Sequence, residues 1–292
     1  MPTNEQRRAN AKRKLQRQLE RHAQQARRRR TLAIAGASVA AVVVAAAIVV
    51  TVVVTNKDHK NNRASAGASA STTAAPGALS GAALPVFKPA ADLGANCQYP
   101  PSPEPAGKQV NPPRQGKVPT DPAQVSVSMV TSQGHIGLLL ANNESPCTVN
   151  SFASLAQQKF FDGTKCHRLT AGHASSILQC GDPSADGTGG PGYQFANEYP
   201  TDQYKPDDPA AHEPVIYPRG TLAMANSGPN TNGSQFFLVY NDTQLPPEYT
   251  IFGKIQQDGL DTLDKIAKGG VAGGGADGPP ATEVTIKSVQ LD

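Results

Sequence analysis

The sequence lacks the residue patterns of several common enzyme classes. Its four cysteines include no Cys-x-x-Cys pair, which argues against a zinc site. It contains no Ser/His/Asp arrangement around a nucleophile and no cluster of metal ligands. The glycine-rich run Asp186–Gly192 (DGTGGPG) lacks the Lys-Ser/Thr ending of a phosphate-binding loop. We therefore expect a function that needs neither a cofactor nor a metal.

Charged residues are few, at 17% of the chain, and their distribution is uneven. Residues 1–30 carry a net charge of +9, whereas the whole chain carries only +4, so residues 31–292 sum to −5. The basic character thus belongs to an N-terminal tail and not to the rest of the chain. It gives no reason to expect a nucleic-acid partner for the globular part.

An apolar run without charge, Leu32–Val54, follows the basic tail. Its 23 residues are long enough to cross a hydrocarbon core of about 30 Å as a helix. The positive-inside rule then places residues 1–30 in the cytoplasm and the chain beyond Thr55 outside the membrane. We predict a single-pass transmembrane anchor over residues 31–55. A cleaved signal peptide is the alternative, with Ala-Ser-Ala sites at Ala64–Ala66 and Ala68–Ala70.

Residues 56–122 have the composition of a linker. The first half is rich in Ala, Ser, Thr and Gly, and eight prolines fall between Pro100 and Pro122. Such a stretch offers too little apolar surface to offset the entropy of ordering. We predict a disordered stalk that holds the next domain away from the membrane, with Cys97 as one point where it could be pinned.

Strand periodicity begins at Ala123, where Val125, Val127 and Met129 alternate with serines. Ser145-Pro146 predicts the start of a first helix, and Gly269-Gly270 the end of a second. Further strands are predicted at about 165–170, 177–181, 220–225, 235–240 and 250–256, with a closing strand that contains Val284 and Ile286. Residues 123–292 are thus predicted to be a mainly β domain: a closed eight-stranded antiparallel barrel capped by two helices, and a monomer.

All four cysteines follow the predicted anchor, on the side of a membrane where disulfides persist. Four cysteines allow three pairings. Cys166 and Cys180 flank a predicted hairpin, so a cross-strand bond is one expectation, and it leaves Cys97 with Cys147. The alternative is four reduced, partly buried thiols.

Two segments carry most of the functional information. Phe160–Leu169 (FFDGTKCHRL) places a lone arginine on a strand after a turn, and Arg219–Val239 (RGTLAMANSGPNTNGSQFFLV) is a strand, a loop and a second strand. Together they resemble the two signature segments of the cyclophilin family of peptidyl-prolyl isomerases. The resemblance covers roughly Ala123–Leu291, and it implies an eight-stranded barrel that catalyses rotation about X-Pro bonds.

The resemblance also implies residue roles. Arg168 is the donor to the substrate imide, and Gln235 binds the substrate backbone and orients the arginine. The residues that it implies for binding the peptide are Phe237 as the floor of a proline pocket, Ile177, Leu245 and Tyr249 as its walls, and Ala225 and Asn226 through their backbone groups.

The chain departs from the family pattern in one segment and at two positions. The segment after Arg168 reads LTAGHASSILQCGDP, which is longer than the family run and puts Ser176 where an aromatic is expected. Gln244 falls where the family often has tryptophan, and Tyr249 where it often has histidine. These changes predict weak cyclosporin binding and lower turnover or an altered preference around proline.

The sequence leaves three functions open. The first is a bacterial, membrane-anchored isomerase that acts on proline-containing peptides and unfolded exported proteins. The second is a low-turnover proline-peptide-binding or chaperone module on the same scaffold, suggested by the altered segment. The third is a tethered adhesin or surface antigen, in which the stalk matters more than the groove. The retained Arg168, Gln235 and Phe237 favour the isomerase.

Overall fold

The structure, a computed structural model, describes Leu79, residues 81–205 and residues 207–292. The predicted basic tail (1–30), the predicted anchor (31–55) and residues 56–78 of the predicted linker lie outside these residues. Among the helices that are described, none has the length and apolar character needed to cross a membrane. The membrane anchor therefore stays a prediction from the sequence.

The main body is one curled, half-barrel sheet of nine antiparallel strands. Their order across the sheet is β11 (Asp277–Gly278), β4 (Arg168–Thr170), β5 (Ile177–Cys180), β8 (Phe236–Val239), β7 (Thr221–Met224), β10 (Ile251–Ile255), β3 (His135–Ala141), β2 (Gln124–Thr131) and β12 (Ile286–Leu291). The mainly β character is confirmed. The strand number of eight is wrong, because the two-residue strand β11 extends the sheet beside β4.

The two ends of this sheet approach each other in the segments that precede β4 and β12. The N–H of Cys166 donates to the carbonyl of Val284 at 2.8 Å, and the N–H of Gly163 donates to the carbonyl of Ile286 at 2.8 Å. These bonds join the edges locally and keep the sheet curled around its interior. The ladder is therefore a half-barrel bridged at one end instead of the continuous closed barrel that the sequence predicted.

A second, three-stranded sheet flanks the first. Its order is β1 (Ala82–Ala83), β6 (Val215–Tyr217) and β9 (Thr243–Leu245), with β1 parallel and β9 antiparallel to β6. The sequence analysis did not predict these strands. Each has only two or three residues, which is too short for an alternating pattern to stand out.

Two α-helices occur in the described chain, as predicted: Pro146–Gln157 and Gln257–Gly269. The first begins at the predicted proline, but Ser145 does not cap it, because its hydroxyl donates to the carbonyl of Ile251 at 2.7 Å. The buried carboxylate of Glu198 accepts from the N–H groups of Cys147 (2.9 Å) and Thr148 (2.8 Å) instead. Burial raises the pKa of Glu198 to about 7, against the effect of these hydrogen bonds.

The interior of the half-barrel is aromatic at its centre. The Phe236 ring meets Phe152 and Phe161 edge to face, at centroid distances of 5.4 and 5.6 Å. Such pairs stabilise a core beyond the area that they bury. Val149, Phe152 and Ala156 of the first helix are buried and form its apolar face.

The second half of the predicted linker is packed against the domain. Tyr99 and Val118 are 2% and 3% exposed, and the Tyr99 hydroxyl donates to the carbonyl of Cys147 at 2.8 Å. The Tyr99 ring also meets Tyr193 and Phe195 at 5.7 and 5.6 Å. The expectation of disorder is therefore wrong for this segment, because a few well-placed side chains bury it despite a composition typical of linkers.

Both expected disulfides are formed. Cys97 is bonded to Cys147 across 50 residues of sequence, and Cys166 to Cys180 across 14 residues, so that no cysteine is free. The first bond fixes the N-terminal segment to the first helix. The second closes the β4–β5 hairpin at its base.

The two disulfides should differ in how much they stabilise the fold. Constraint of the unfolded chain grows with the closed loop, so removing Cys97–Cys147 by a double Cys→Ala change should cost about 4 kcal/mol, against about 3 kcal/mol for Cys166–Cys180. Urea unfolding followed by circular dichroism measures both. The variants are matched in chemistry, and an equal or larger loss for the shorter loop would contradict the expectation.

Candidate active site

Strand register brings the main candidate residues onto one face of the sheet. Arg168 on β4 lies opposite Gln179 on β5, and Gln179 lies opposite Phe237 on β8. Directly opposed residues of antiparallel strands present their side chains on the same face. Arg168, Gln179 and Phe237 therefore form a row on the outer face, with the interior core behind them.

The Arg168 guanidinium is held by a carboxylate. Its Nε donates to Asp277 Oδ1 at 2.8 Å and its Nη2 to Asp277 Oδ2 at 2.7 Å. Its Nη1 makes a long contact of 3.4 Å with Gln179 Oε1. Hydrogen bonding to Arg168 holds the pKa of Asp277 below its usual range, and Asp277 raises the pKa of Arg168. Both groups are thus charged at neutral pH, and the guanidinium has one defined orientation.

Gln235 is connected to this row by a hydrogen bond with Gln179 and not by a contact with Arg168. Gln179 Nε2 donates to Gln235 Oε1 at 2.9 Å, and Gln235 Nε2 donates to the carbonyls of Gly187 and Gly189, each at 3.0 Å. The role expected of Gln235, to orient Arg168, falls to Gln179 in this geometry. Sequence reasoning missed Gln179, although its position two residues after Ile177 on one strand would have placed it on the same face.

The loop that receives Gln235 is built around one buried carboxylate. Asp182, which is 0% exposed, accepts from the N–H groups of Ser184 (2.7 Å), Asp186 (3.1 Å) and Gly187 (2.6 Å). A Cβ at Gly189 would lie 2.1 Å from Asp182 Oδ1, so only glycine fits there. The glycine-rich run lies beside the site, and it fixes the amide of Gln235.

An apolar slot adjoins the guanidinium. Phe237 and Ile177 belong to an outer hydrophobic cluster that is distinct from the interior core, and Ala225, Leu245 and Tyr249 pack against this cluster while partly exposed. The Phe237 and Tyr249 rings meet edge to face at 5.7 Å. Phe237 itself is only 2% exposed. The structure thus brings together the four residues predicted to form the slot, with Phe237 deepest, and it adds Ala225 to them.

Ala225 and Asn226 brace the loop that borders this slot. The N–H of Ala225 donates to the carbonyl of Gln235 at 2.9 Å, so this N–H is not available to a bound peptide. The Asn226 side chain donates to the carbonyl of Glu248 at 2.9 Å and accepts from the N–H of Gly228 at 3.2 Å. The expected contribution of Ala225 to a peptide is thereby limited to groups other than its N–H.

The segment after Arg168 that differs from the family pattern forms the β4–β5 hairpin. The chain turns at Gly172–Ser175, where the two residues exchange backbone hydrogen bonds. Ser176 is buried and its N–H donates to the Thr243 hydroxyl at 3.0 Å. The position where an aromatic was expected therefore adds no wall to the slot, which leaves that side to Ile177 from the neighbouring position.

A cavity of about 770 Å³ extends the groove beyond Gln235. Ala225, Asn226 and Gln235 line one side of it, and Ser102, Pro103 and Glu104 line another. The last three belong to the segment that the sequence analysis assigned to a disordered linker. Part of that segment therefore shapes the groove next to the candidate site.

His167 precedes Arg168, and its side chain is partly buried. Burial lowers its pKa, and its Nδ1 is buried without a hydrogen-bond partner among the described residues. Arg168 and the adjoining apolar residues together offer a positive hydrogen-bond donor beside an apolar slot, an arrangement for binding and polarising a group without breaking a bond in it.

Comparisons with known proteins find similar sequences along the whole chain. The family described as Cyclophilin type peptidyl-prolyl cis-trans isomerase/CLD matches residues 126–291. The chain is 77% identical over 292 residues to "Probable peptidyl-prolyl cis-trans isomerase B" of Mycobacterium tuberculosis, covering 100% of this chain and 95% of that protein. It is 70% identical over 295 residues to the protein of the same name in Mycobacterium leprae, covering 100% of both.

A solved structure is also similar. The crystal structure of a cyclophilin type peptidyl-prolyl cis-trans isomerase of Cryptosporidium parvum covers 58% of this chain and 98% of its own, at 29% identity and a TM-score of 0.46.

Proposed function

This chain belongs to the cyclophilin-type peptidyl-prolyl cis-trans isomerase family, and on that premise we propose that Arg168 catalyses X-Pro rotation from beside the slot floored by Phe237. The enzyme class is that of the family: a peptidyl-prolyl cis-trans isomerase. The mechanism rests on one observation, that Arg168, Gln179 and Phe237 share a register row on one face.

Rotation about an X-Pro bond needs no bond to the substrate to be made or broken. Resonance gives the C–N bond double-bond character and a barrier of about 18–20 kcal/mol, so uncatalysed exchange takes tens to hundreds of seconds. In the twisted transition state the imide nitrogen loses this resonance and carries a lone pair. A donor that meets this lone pair stabilises the transition state more than either planar form.

Arg168 is suited to donate that hydrogen bond. Its guanidinium stays protonated at all relevant pH values and presents several N–H groups in one plane. Asp277 occupies Nε and Nη2, and Nη1 points to the Gln179 amide. The donor is therefore oriented before a peptide arrives, and little reorganisation is needed during the reaction.

The slot supplies the binding half of the mechanism. Phe237 and Ile177 form the deep part, and Leu245 and Tyr249 lie around it. A proline ring in contact with these side chains loses its hydration, and it holds the imide at a fixed distance from Arg168. Gln235 lines the groove beside this slot, where the glycine-rich loop and Gln179 hold its amide in one orientation.

We place the enzyme outside the cytoplasm, acting on unfolded exported proteins. The basis for this placement is the apolar run Leu32–Val54 after a tail with net charge +9, together with the two disulfides, which persist in oxidising compartments. The altered hairpin after Arg168 supports one alternative, a low-turnover module that binds proline peptides on the same scaffold.

Arg168→Ala should reduce kcat/KM for a short X-Pro peptide about 100-fold or more, because it removes a charged donor to the transition state. NMR exchange spectroscopy of the cis and trans peptide signals measures the rate. Lys165→Ala is the matched control. It removes a half-exposed cation three residues away that pairs with Glu283, and it should leave the rate unchanged.

Full activity in Arg168→Ala would show that the role assignment is wrong. No acceleration by the unmutated chain, together with intact peptide binding, would favour the low-turnover binding module over the isomerase.

Asp277→Ala should lower kcat/KM several-fold while the fold stays stable. The Arg168–Asp277 pair is half exposed, at 44% and 53% of the two side chains, so its stability contribution is about 1 kcal/mol or less. We expect the ion pair to matter more for the orientation of Arg168, and hence for the rate, than for stability. Asp277→Asn keeps one acceptor and should give an intermediate rate.

Asp264→Ala is the control for this prediction, because it removes the same kind of paired contact from Arg219, outside the slot. A rise in activity for Asp277→Ala would contradict the proposal, since it would mean that the carboxylate withholds the guanidinium from the substrate.

The anchor has a separate test. If residues 31–55 span a membrane, the protein should remain in the membrane fraction after washing with high salt, because such a wash removes only electrostatically bound proteins. Immunoblotting of the fractions measures this. Complete release into the wash would contradict a retained anchor.

A further inference from the structure

Residues 81–88, which we call the strap, lie against the outer apolar cluster before the chain enters the half-barrel. Ala82 pairs with Val215 and Ala83 with Ile216, so the strap forms the edge strand β1. Leu84 and Phe87 then pack against the same cluster that contains Phe237 and Ile177. This contact is specific to one face of the strap, since Val86 is 80% exposed.

Polar and aromatic contacts fix the second half of the strap. The Tyr199 hydroxyl donates to the carbonyl of Pro85 at 2.8 Å. The Phe87 ring meets the Tyr199 ring edge to face at 5.6 Å. The N–H of Lys88 donates to Gln203 Oε1 at 2.9 Å. The strap is thus held along its length and not at one point.

The strap is connected to the wall of the slot through β6. Val215 pairs with Ala82 on one side and with Leu245 on the other, which puts Ala82, Val215 and Leu245 in one row. On the same strand, the Tyr217 hydroxyl shares its one proton between the carbonyls of Pro246 (3.2 Å) and Tyr249 (3.1 Å). Both wall residues, Leu245 and Tyr249, are therefore tied to β6.

A ribbon of two short strands is marginally stable in water, and a third strand with an apolar face stabilises it. Here β6 and β9 have three residues each, and β1 is the third strand. Without it, β6 would keep β9 as its one strand partner in this sheet, and Leu245 would lie on a ribbon of two short strands.

We propose that the strap positions the wall of the proline slot, so that Leu84 and Phe87 are positioning residues for peptide binding. The proposal rests on the proposed function of the slot. It assigns a role in substrate affinity to a segment outside the residues that match the family, 126–291. It also predicts that changes in the strap alter peptide affinity but not the catalytic step, because Arg168 and Asp277 lie on β4 and β11, which do not pair with the strap.

The test compares the Leu84→Ala/Phe87→Ala double variant of the whole chain with Val86→Ala, the exposed neighbour. NMR exchange of a short Ala-Pro peptide, over a range of peptide concentrations, gives KM and kcat. The double variant should raise KM about tenfold and leave kcat within about twofold, the pattern of lost uniform binding. Val86→Ala should match the unmutated chain.

Hydrogen exchange gives a readout at the wall itself. Amides of residues 243–249 should exchange faster in the double variant and not in Val86→Ala, whereas amides of β2 and β3 should be unchanged. The single variant Phe87→Tyr keeps the ring that meets Tyr199 and leaves Leu84 intact. Its KM should stay close to that of the unmutated chain. If the double variant unfolds, Tyr199→Phe, which removes only the bond to the Pro85 carbonyl, should still raise KM two- to threefold or so.

Three outcomes would overturn the proposal: an unchanged KM in a folded double variant, an equal effect of Val86→Ala, or tighter peptide binding, which would mean that the strap covers the slot instead of building it. A failure of this proposal can be distinguished from a failure of the proposed isomerase function. If the unmutated chain does not accelerate exchange, NMR titration with the same peptide still compares the affinities of the variants.

Discussion

The site depends on the register between β4, β5 and β8. A slip of one residue in either pairing would turn Arg168 or Phe237 to the opposite face of the sheet. The register is held from the interior, where Leu169, Leu178 and Leu238 are fully buried at the positions next to the site residues. Core packing therefore sets the geometry of the candidate site, because each inward leucine fixes the direction of its outward neighbour.

The central strands are buried on both faces, which sets this sheet apart from a simple barrel wall. Phe236 points inward to Phe152 and Phe161, whereas Phe237 points outward to Tyr217 and Tyr249. The outer cluster needs cover to be stable, and it receives that cover from β6, β9 and the strap. A substrate slot and a second small core are thus parts of one apolar surface.

The sequence predicted those parts of the fold that follow from local patterns. Alternation predicted β2 and β3, the Ser145-Pro146 pair predicted the first helix, and the hairpin predicted the Cys166–Cys180 bond. It did not predict β1, β6 and β9, whose two or three residues each form strands only because they pair with one another. It also predicted disorder around Tyr99, since composition averages over a segment, whereas a few buried side chains decide the outcome here.

The sequence predicted those site residues that lie in recognisable local motifs. Arg168, Gln235 and Phe237 stand in distinctive strings, and the structure places them on one surface. Gln179 lacked such a string. Asp277 could not have been found, because it lies 109 residues from Arg168 in a glycine-rich run that is typical of a loop.

That run explains how a carboxylate reaches the arginine. Gly273 and Gly274 have φ of +76° and +75°, values that side chains disfavour, and the turn they allow brings Asp277 alongside Thr170 on β4. In the free protein the resulting ion pair is half hydrated and weak. In the mechanism that we propose, a bound peptide displaces that water, and charge interactions strengthen as the local dielectric falls. On this proposal, the orientation that Asp277 imposes on Arg168 is firmest when the imide is in place, which is when the reaction needs it.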